Sequence, residues 1–148
     1  MNESTDGLVV AVSVSERIPA MERRIMAAHP GVELIWTPYV EPLEVRSSKA
    51  RNGGVDPEGM ETPEITGELR EAWARTQVLV GLDLPADAAE LFPRLELFQL
   101  ASAGYDKCDL ATLRVMGVRL ATSSGLAAPS IAEFVMGRLL AEWKHFRT

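Results

Sequence analysis

The chain has 148 residues, 47% of them hydrophobic, and a net charge of −6, which gives one domain with enough apolar content for a continuous core. The acidic balance excludes a nucleic-acid surface, which needs clustered Lys and Arg; the densest pair, Arg23-Arg24, lies beside Glu22 and reads as a solvated helix face. No apolar run reaches the ~20 residues of a membrane span, no basic start marks a secretory signal, and the lone Cys108 excludes an internal disulfide, so the expected compartment is cytoplasmic, with no membrane and no nucleic acid as partner.

The first element is LVVAVSV, Leu8 to Val14, a short run rich in valine that reads as a fully buried strand. Pro19 then stands where a first helical turn tolerates proline, and Met21, Ile25, Met26 and Ala28 follow at helical spacing until Pro30-Gly31. VELIW, Val32 to Trp36, is the second strand. From Thr37 to Gly67 the periodicity is lost among charges, prolines and Asn52-Gly53-Gly54, so the reading there is a long loop or insertion.

Glu68 to Thr76 resumes a helix with Leu69, Ala72 and Trp73 on one face. VLVGL, Val78 to Leu82, is the third strand, and Pro85 with Asp87 opens a short helix through Leu91, ended by Pro93. LELFQLA, Leu95 to Ala101, is the fourth strand, Asp109 to Met116 a short helix closed by Gly117, and VRLAT, Val118 to Thr122, the fifth strand. Strands that alternate with helices in this way make a parallel sheet, because parallel neighbours need crossovers. The expected fold class is α/β: an open, doubly wound, flavodoxin-like sheet of about five strands in the order 2-1-3-4-5, with a long C-terminal helix.

That last helix is expected over Ser130 to Phe146. Its stripe is Ile131, Phe134, Val135, Leu139, Leu140, Trp143 and Phe146, and Ser130-Ile131-Ala132-Glu133 reads as a capping box; the alternative start puts Pro129 at the first helical position. No Gly or Pro ends it. The division expected is 1–125 as an α/β domain and 126–148 as hinge and helix.

Chemistry concentrates in two segments. Ser102-Ala103-Gly104-Tyr105-Asp106 follows the fourth strand, and open α/β sheets bind ligands at the carboxyl ends of their strands. A turn containing Gly104 can aim successive N–H groups at an anion, such as a carboxylate. By spacing alone, a plain strand-to-helix turn with Asp106 or Asp109 as the cap is the simpler reading. The second segment is SSGLAAPSIAE, Ser123 to Glu133. His29 and His145 are isolated, and without a placed partner such residues read as structural or solvated. Cys108 reads as a small helix-start or core residue, and Trp36 and Trp73 as packing residues.

SAGYDKCD followed by SSGLAAPSIAE, in that order and spacing, resembles the substrate-side half of the D-isomer-specific 2-hydroxyacid dehydrogenases from about Thr76 to Phe146; before Thr76 only the strand and helix rhythm agrees. The resemblance implies that Ser102, Ala103, Gly104 and Tyr105 form the substrate-binding turn, with the N–H groups of Gly104 and Tyr105 receiving the carboxylate of a small 2-hydroxy or 2-oxo acid. It implies that the complete enzyme moves a hydride between C2 of that acid and NAD or NADP. It also implies that the hinge leads into a nucleotide-binding domain beyond residue 148; the apolar stripe otherwise points to a partner subunit on the terminal helix. The family's Gly-rich dinucleotide turn and its Arg, His and Glu catalytic set match nothing here, so this chain is expected to have no catalytic residues, to be inactive alone and to bind no cofactor by itself. Many relatives have asparagine where Ala127 stands, and Tyr105 is larger than usual for its place.

The alternative is a stand-alone anion-binding or protein-interaction domain without catalysis, which the apolar stripe of the terminal helix motivates. A phospho-receiver would place its acceptor near Asp83, but Ser13-Val14-Ser15 and Thr122-Ser123 replace the acids and lysine it needs. A flavodoxin lacks support because the turn after the first strand has no Gly-rich phosphate loop.

Overall fold

A computed structural model describes residues 7–55 and 57–145. Five strands form one all-parallel sheet: β1 (Leu8–Ser13), β2 (Val32–Trp36), β3 (Val78–Gly81), β4 (Leu97–Leu100) and β5 (Arg119–Ala121), in the order β2-β1-β3-β4-β5. This is the expected flavodoxin-like arrangement. The helices are α1 (Pro19–Ala28), α2 (Leu43–Arg51), α3 (Gly67–Ala74), α4 (Ala88–Leu91), α5 (Leu110–Met116) and α6 (Ala128–Trp143).

The two faces of the sheet are covered unequally. Right-handed crossovers that run one way from β1 to β2, and the other way from β3 to β5, put their helices on opposite faces. One face carries the register row Ala11, Leu79, Phe98 and Leu120. Against it pack Trp73 of α3, Ala88 and Leu91 of α4, and Leu113 of α5, which together with Phe92 and Tyr39 make the core. Trp73 is its centre. Its ring stacks on Phe92 at 4.8 Å and meets Tyr39 edge-on at 5.3 Å. The other face carries Val10, Val78 and Leu97 in one row and Val12, Val80 and Gln99 in the next. Among the described residues α1 is the helix that lines it, and Val78, Val80, Leu97 and Gln99 stay half-buried.

Two elements depart from the sequence reading. The expected loop over 37–67 contains α2, whose buried residues are Val45, Ser48 and Lys49. A helix that buries a serine and a lysine shows no apolar period. α6 starts at Ala128, two residues before Ser130, so the expected capping box does not form: Ala127 is the N-cap, no side chain caps it, and Pro129 lies in the first turn. The stripe residue Phe146 lies outside the described residues.

Two glycines are set by geometry. Gly117 ends α5 with φ +72°, the left-handed cap that favours glycine. Gly54 has φ +90°, and a Cβ there would overlap the backbone of Cys108 and Asp109. The tail of α2 therefore meets the start of α5 backbone to backbone. Trp73→Ala is expected to lower stability by about 3–5 kcal/mol, the range for a buried Trp or Phe, in urea melts. Val115→Ala on the exposed side of α5 is expected to stay within about 0.5 kcal/mol.

Candidate functional site

The carboxyl ends of β1, β3, β4 and β5 converge on the loops that carry the chemistry. Ala101 N–H donates to Gly81 O at 2.7 Å, which ties the exit of β4 to that of β3. The turn then runs exposed through Ala103, Gly104 and Tyr105. Ser102 Oγ donates to Gly104 O at 2.8 Å and pins the turn, and Cys108 N–H donates to Tyr105 O at 2.9 Å and closes it. Among the described residues, the N–H groups of Ala103, Gly104 and Tyr105 have no protein acceptor. Gly104 does not need positive φ, and a Cβ there would approach only the Asp106 carboxylate, at 3.2 Å.

The hinge segment adjoins this turn. Ser123 N–H donates to Ser102 O at 3.0 Å, and Ser123 Oγ donates to Leu100 O at 3.2 Å. The two motifs, separate in sequence, are thus joined by the pairing of β4 with β5. Asp109, not Asp106, caps α5: its Oδ1 accepts from Ala111 N and Thr112 N at 2.9 and 3.0 Å, and its Oδ2 from the Thr112 hydroxyl at 2.7 Å. The Thr112 contacts, side chain first, hold its carboxyl below the usual range. Glu133 caps nothing. His29 accepts Gly31 N–H at its Nδ1 and closes the turn before β2.

Beside the start of α5 lies a pocket of about 230 Å³, lined by charged and apolar side chains, that the sequence reading did not assemble, although it noted Asp83 at the end of β3. Its walls come from the loop after β3 (Asp83, Leu84), from α2 and its tail (Lys49, Gly54), and from the start of α5 (Lys107, Cys108). Glu41 stands between them. Lys49 Nζ donates to Glu41 Oε1 at 2.6 Å and to Leu84 O at 3.0 Å, and Tyr39 OH donates to the same Oε1 at 3.1 Å. Glu41 N–H donates to Asp83 Oδ2 at 3.0 Å. Lys107 Nζ and Arg46 Nε stand 3.6 and 3.8 Å from Asp83 Oδ1. Glu41, Lys49 and Asp83 are all fully or nearly fully buried.

Removal from water pushes the Glu41 carboxyl upward, and the Lys49 ammonium opposes that shift. Among the described residues, Glu41 Oε2 and Asp83 Oδ1 have no hydrogen-bond donor. Glu41 and Asp83 thus place two buried carboxylates beside Lys49 and Lys107 in the pocket wall, with Arg46 behind Asp83. Burial also raises the Cys108 thiol to about 11, so it is a packing residue without thiolate character.

The sequence carried a signal for this cluster. Pro42 precedes α2, Glu44 lies in its first turn, Lys49 and Arg51 in its last, and Asn52-Gly53-Gly54 follows; these are helix start and stop marks without an apolar stripe. The eight-residue spacing that pairs Glu41 with Lys49 looks, in sequence, like a solvated charge run.

Two variants test this reading. Lys49→Met leaves a buried carboxylate without its cation and is expected to cost about 3–5 kcal/mol at pH 7. Glu41 has a raised folded pKa, so its contribution is fully present below its unfolded pKa and is lost as pH rises through the folded one. Lys49→Met raises that pKa further, so much of its deficit should vanish near pH 4.5, and urea melts at both pH values measure this. Asp109 has the opposite sign: Asp109→Ala is expected to cost about 1 kcal/mol at neutral pH, with the loss fading as pH falls below the ordinary Asp value of 3.8.

Among the described residues, no group of His, Cys, Asp and Glu is placed to hold a metal ion, and no helix is long and apolar enough to cross a membrane. No protein-family model, no curated protein and no solved structure matches this chain.

Proposed function

We propose that this chain is the substrate-binding portion of an NAD(P)-dependent D-2-hydroxyacid dehydrogenase, and that the turn Ser102–Tyr105 takes the carboxylate of a 2-hydroxy or 2-oxo acid. The observation that carries the reading is the turn at the end of β4: consecutive N–H groups of Ala103, Gly104 and Tyr105 without protein acceptors, pinned by the Ser102 hydroxyl and abutting Ser123. Backbone N–H groups aimed into one concavity recognise a carboxylate by charge-assisted hydrogen bonds, and the absence of a Cβ at Gly104 keeps the approach open. Tyr105, half exposed, stands at the edge of that approach.

In this reading the nicotinamide and the proton-transferring groups come from a domain outside these residues. The chain's own part is to bind and orient the acid. It does not hold the dinucleotide: no Gly-rich strand-turn-helix is present to place a pyrophosphate on a helix N-terminus.

Amide NMR titration decides the matter. Lactate or pyruvate is expected to shift the Gly104 and Tyr105 amides saturably at millimolar concentration, and isopropanol or acetone, which lack the carboxylate, is not. Gly104→Val should abolish the shifts while leaving the core signals in place. Saturation with isopropanol equal to that with lactate, or an unresponsive turn, sinks the proposal. NADH fluorescence is expected to show no low-micromolar binding by the chain alone.

A further inference from the structure

The carboxylate-receiving turn leaves the pocket beside the start of α5 without a role. Its volume of about 230 Å³ is that of about seven waters at ~30 Å³ each, or of a molecule with a similar number of non-hydrogen atoms. Glu41 and Asp83 line it and are only 1% and 4% exposed. Each has one carboxylate oxygen, Glu41 Oε2 and Asp83 Oδ1, that no hydrogen-bond donor among the described residues reaches. Buried carboxylate oxygens are costly to leave in that state, so they call for a donor that enters the pocket. Lys107 Nζ, at 3.6 Å from Asp83 Oδ1, is too far for a good hydrogen bond and keeps donors to offer. The opposite wall is apolar, from Leu84, Pro85 and Val55.

We propose that this pocket binds a small α-amino acid, whose ammonium donates to Glu41 Oε2 and Asp83 Oδ1, whose carboxylate accepts from Lys107, and whose side chain lies against the apolar wall. Charge selects a zwitterion. Among the described residues, the acids Glu41, Asp83 and Asp109 around the pocket are matched by Lys49, Lys107 and Arg46. A bare cation or anion would leave an uncompensated charge in a site of low dielectric, and a zwitterion does not. Donor count selects the ammonium. It carries three N–H groups for two carboxylate oxygens, whereas a 2-hydroxy acid has one hydroxyl hydrogen for them and adds a net negative charge. Asp109 takes no part, because both its oxygens are occupied in capping α5. Size selects a short side chain, and glycine and alanine fit the volume.

The site does not rest on the dehydrogenase reading. Amide NMR titration of the chain with alanine tests it, and saturable shifts are expected at Leu84, Lys107 and Cys108. Propionate lacks the ammonium and ethylamine lacks the carboxylate, so neither is expected to reproduce them. Asp83→Asn keeps an acceptor for the Glu41 N–H but loses the charge, and is expected to weaken alanine binding by about tenfold or more. Val55→Trp, at a position 59% exposed on the rim, leaves the buried cluster untouched and is expected to block entry; it keeps the test open where Asp83→Asn does not fold. Propionate or ethylamine acting as well as alanine overturns the proposal. So does undiminished alanine binding by Val55→Trp, or a pocket that does not respond to alanine, which means that it holds water only. Gly104→Val is expected to leave the alanine shifts at Leu84 in place, and Val55→Trp to leave the lactate shifts at Gly104, so the two readings fail separately.

Discussion

The contact on which the functional end of the molecule depends is the buried pair of Lys49 and Glu41. An ammonium and a carboxylate 2.6 Å apart, both out of water, are costly to bury and costlier to separate. The pair holds because other groups complete it. Lys49 also reaches Leu84 O, Tyr39 OH donates to the carboxylate, and the Glu41 backbone N–H donates to Asp83. Through these bonds α2 is fastened to the loop after β3. Gly54 then lets the tail of α2 lie against the backbone of Cys108 and Asp109, so the start of α5 is fixed as well.

The turn after β4 inherits its position from that frame. Lys107 stands over Asp83 on one side, and Ser123 bonds Ser102 on the other. The chain between them therefore has little freedom at its ends while its own N–H groups face outward. Such an arrangement suits anion recognition, because the donors are ordered before a ligand arrives and the binding free energy is not spent on ordering them. The charged pocket adjoins the same loop at Lys107 and Cys108, where its buried groups hold the segment that follows the turn.

The apolar surfaces follow from the same topology. Placing α3, α4 and α5 on one face concentrates the core there, around Trp73. The opposite face is lined by α1 and keeps valines half exposed in the central strand β3. α6 has the composition of a missing layer, yet it leaves the sheet rather than covering it.

By itself the sequence determined the architecture. Short valine-rich runs spaced by helical patterns name five parallel strands, and Gly117, Pro93 and Pro30-Gly31 mark the ends of elements, because these signals depend on backbone geometry and solvation that each residue carries locally. It also made Gly104 and the Ser123 segment stand out. Tertiary structure alone decided three things. It placed the helix Leu43–Arg51 within the apparent loop 37–67, because α2 is held by a buried ion pair and a serine rather than by an apolar stripe. It laid one face of the sheet open, because α3, α4 and α5 cross over on the other. And it brought Glu41, Lys49, Asp83 and Lys107 into one pocket, because partners such as Glu41 and Asp83, 42 positions apart in the chain, interact only once the sheet order has been set.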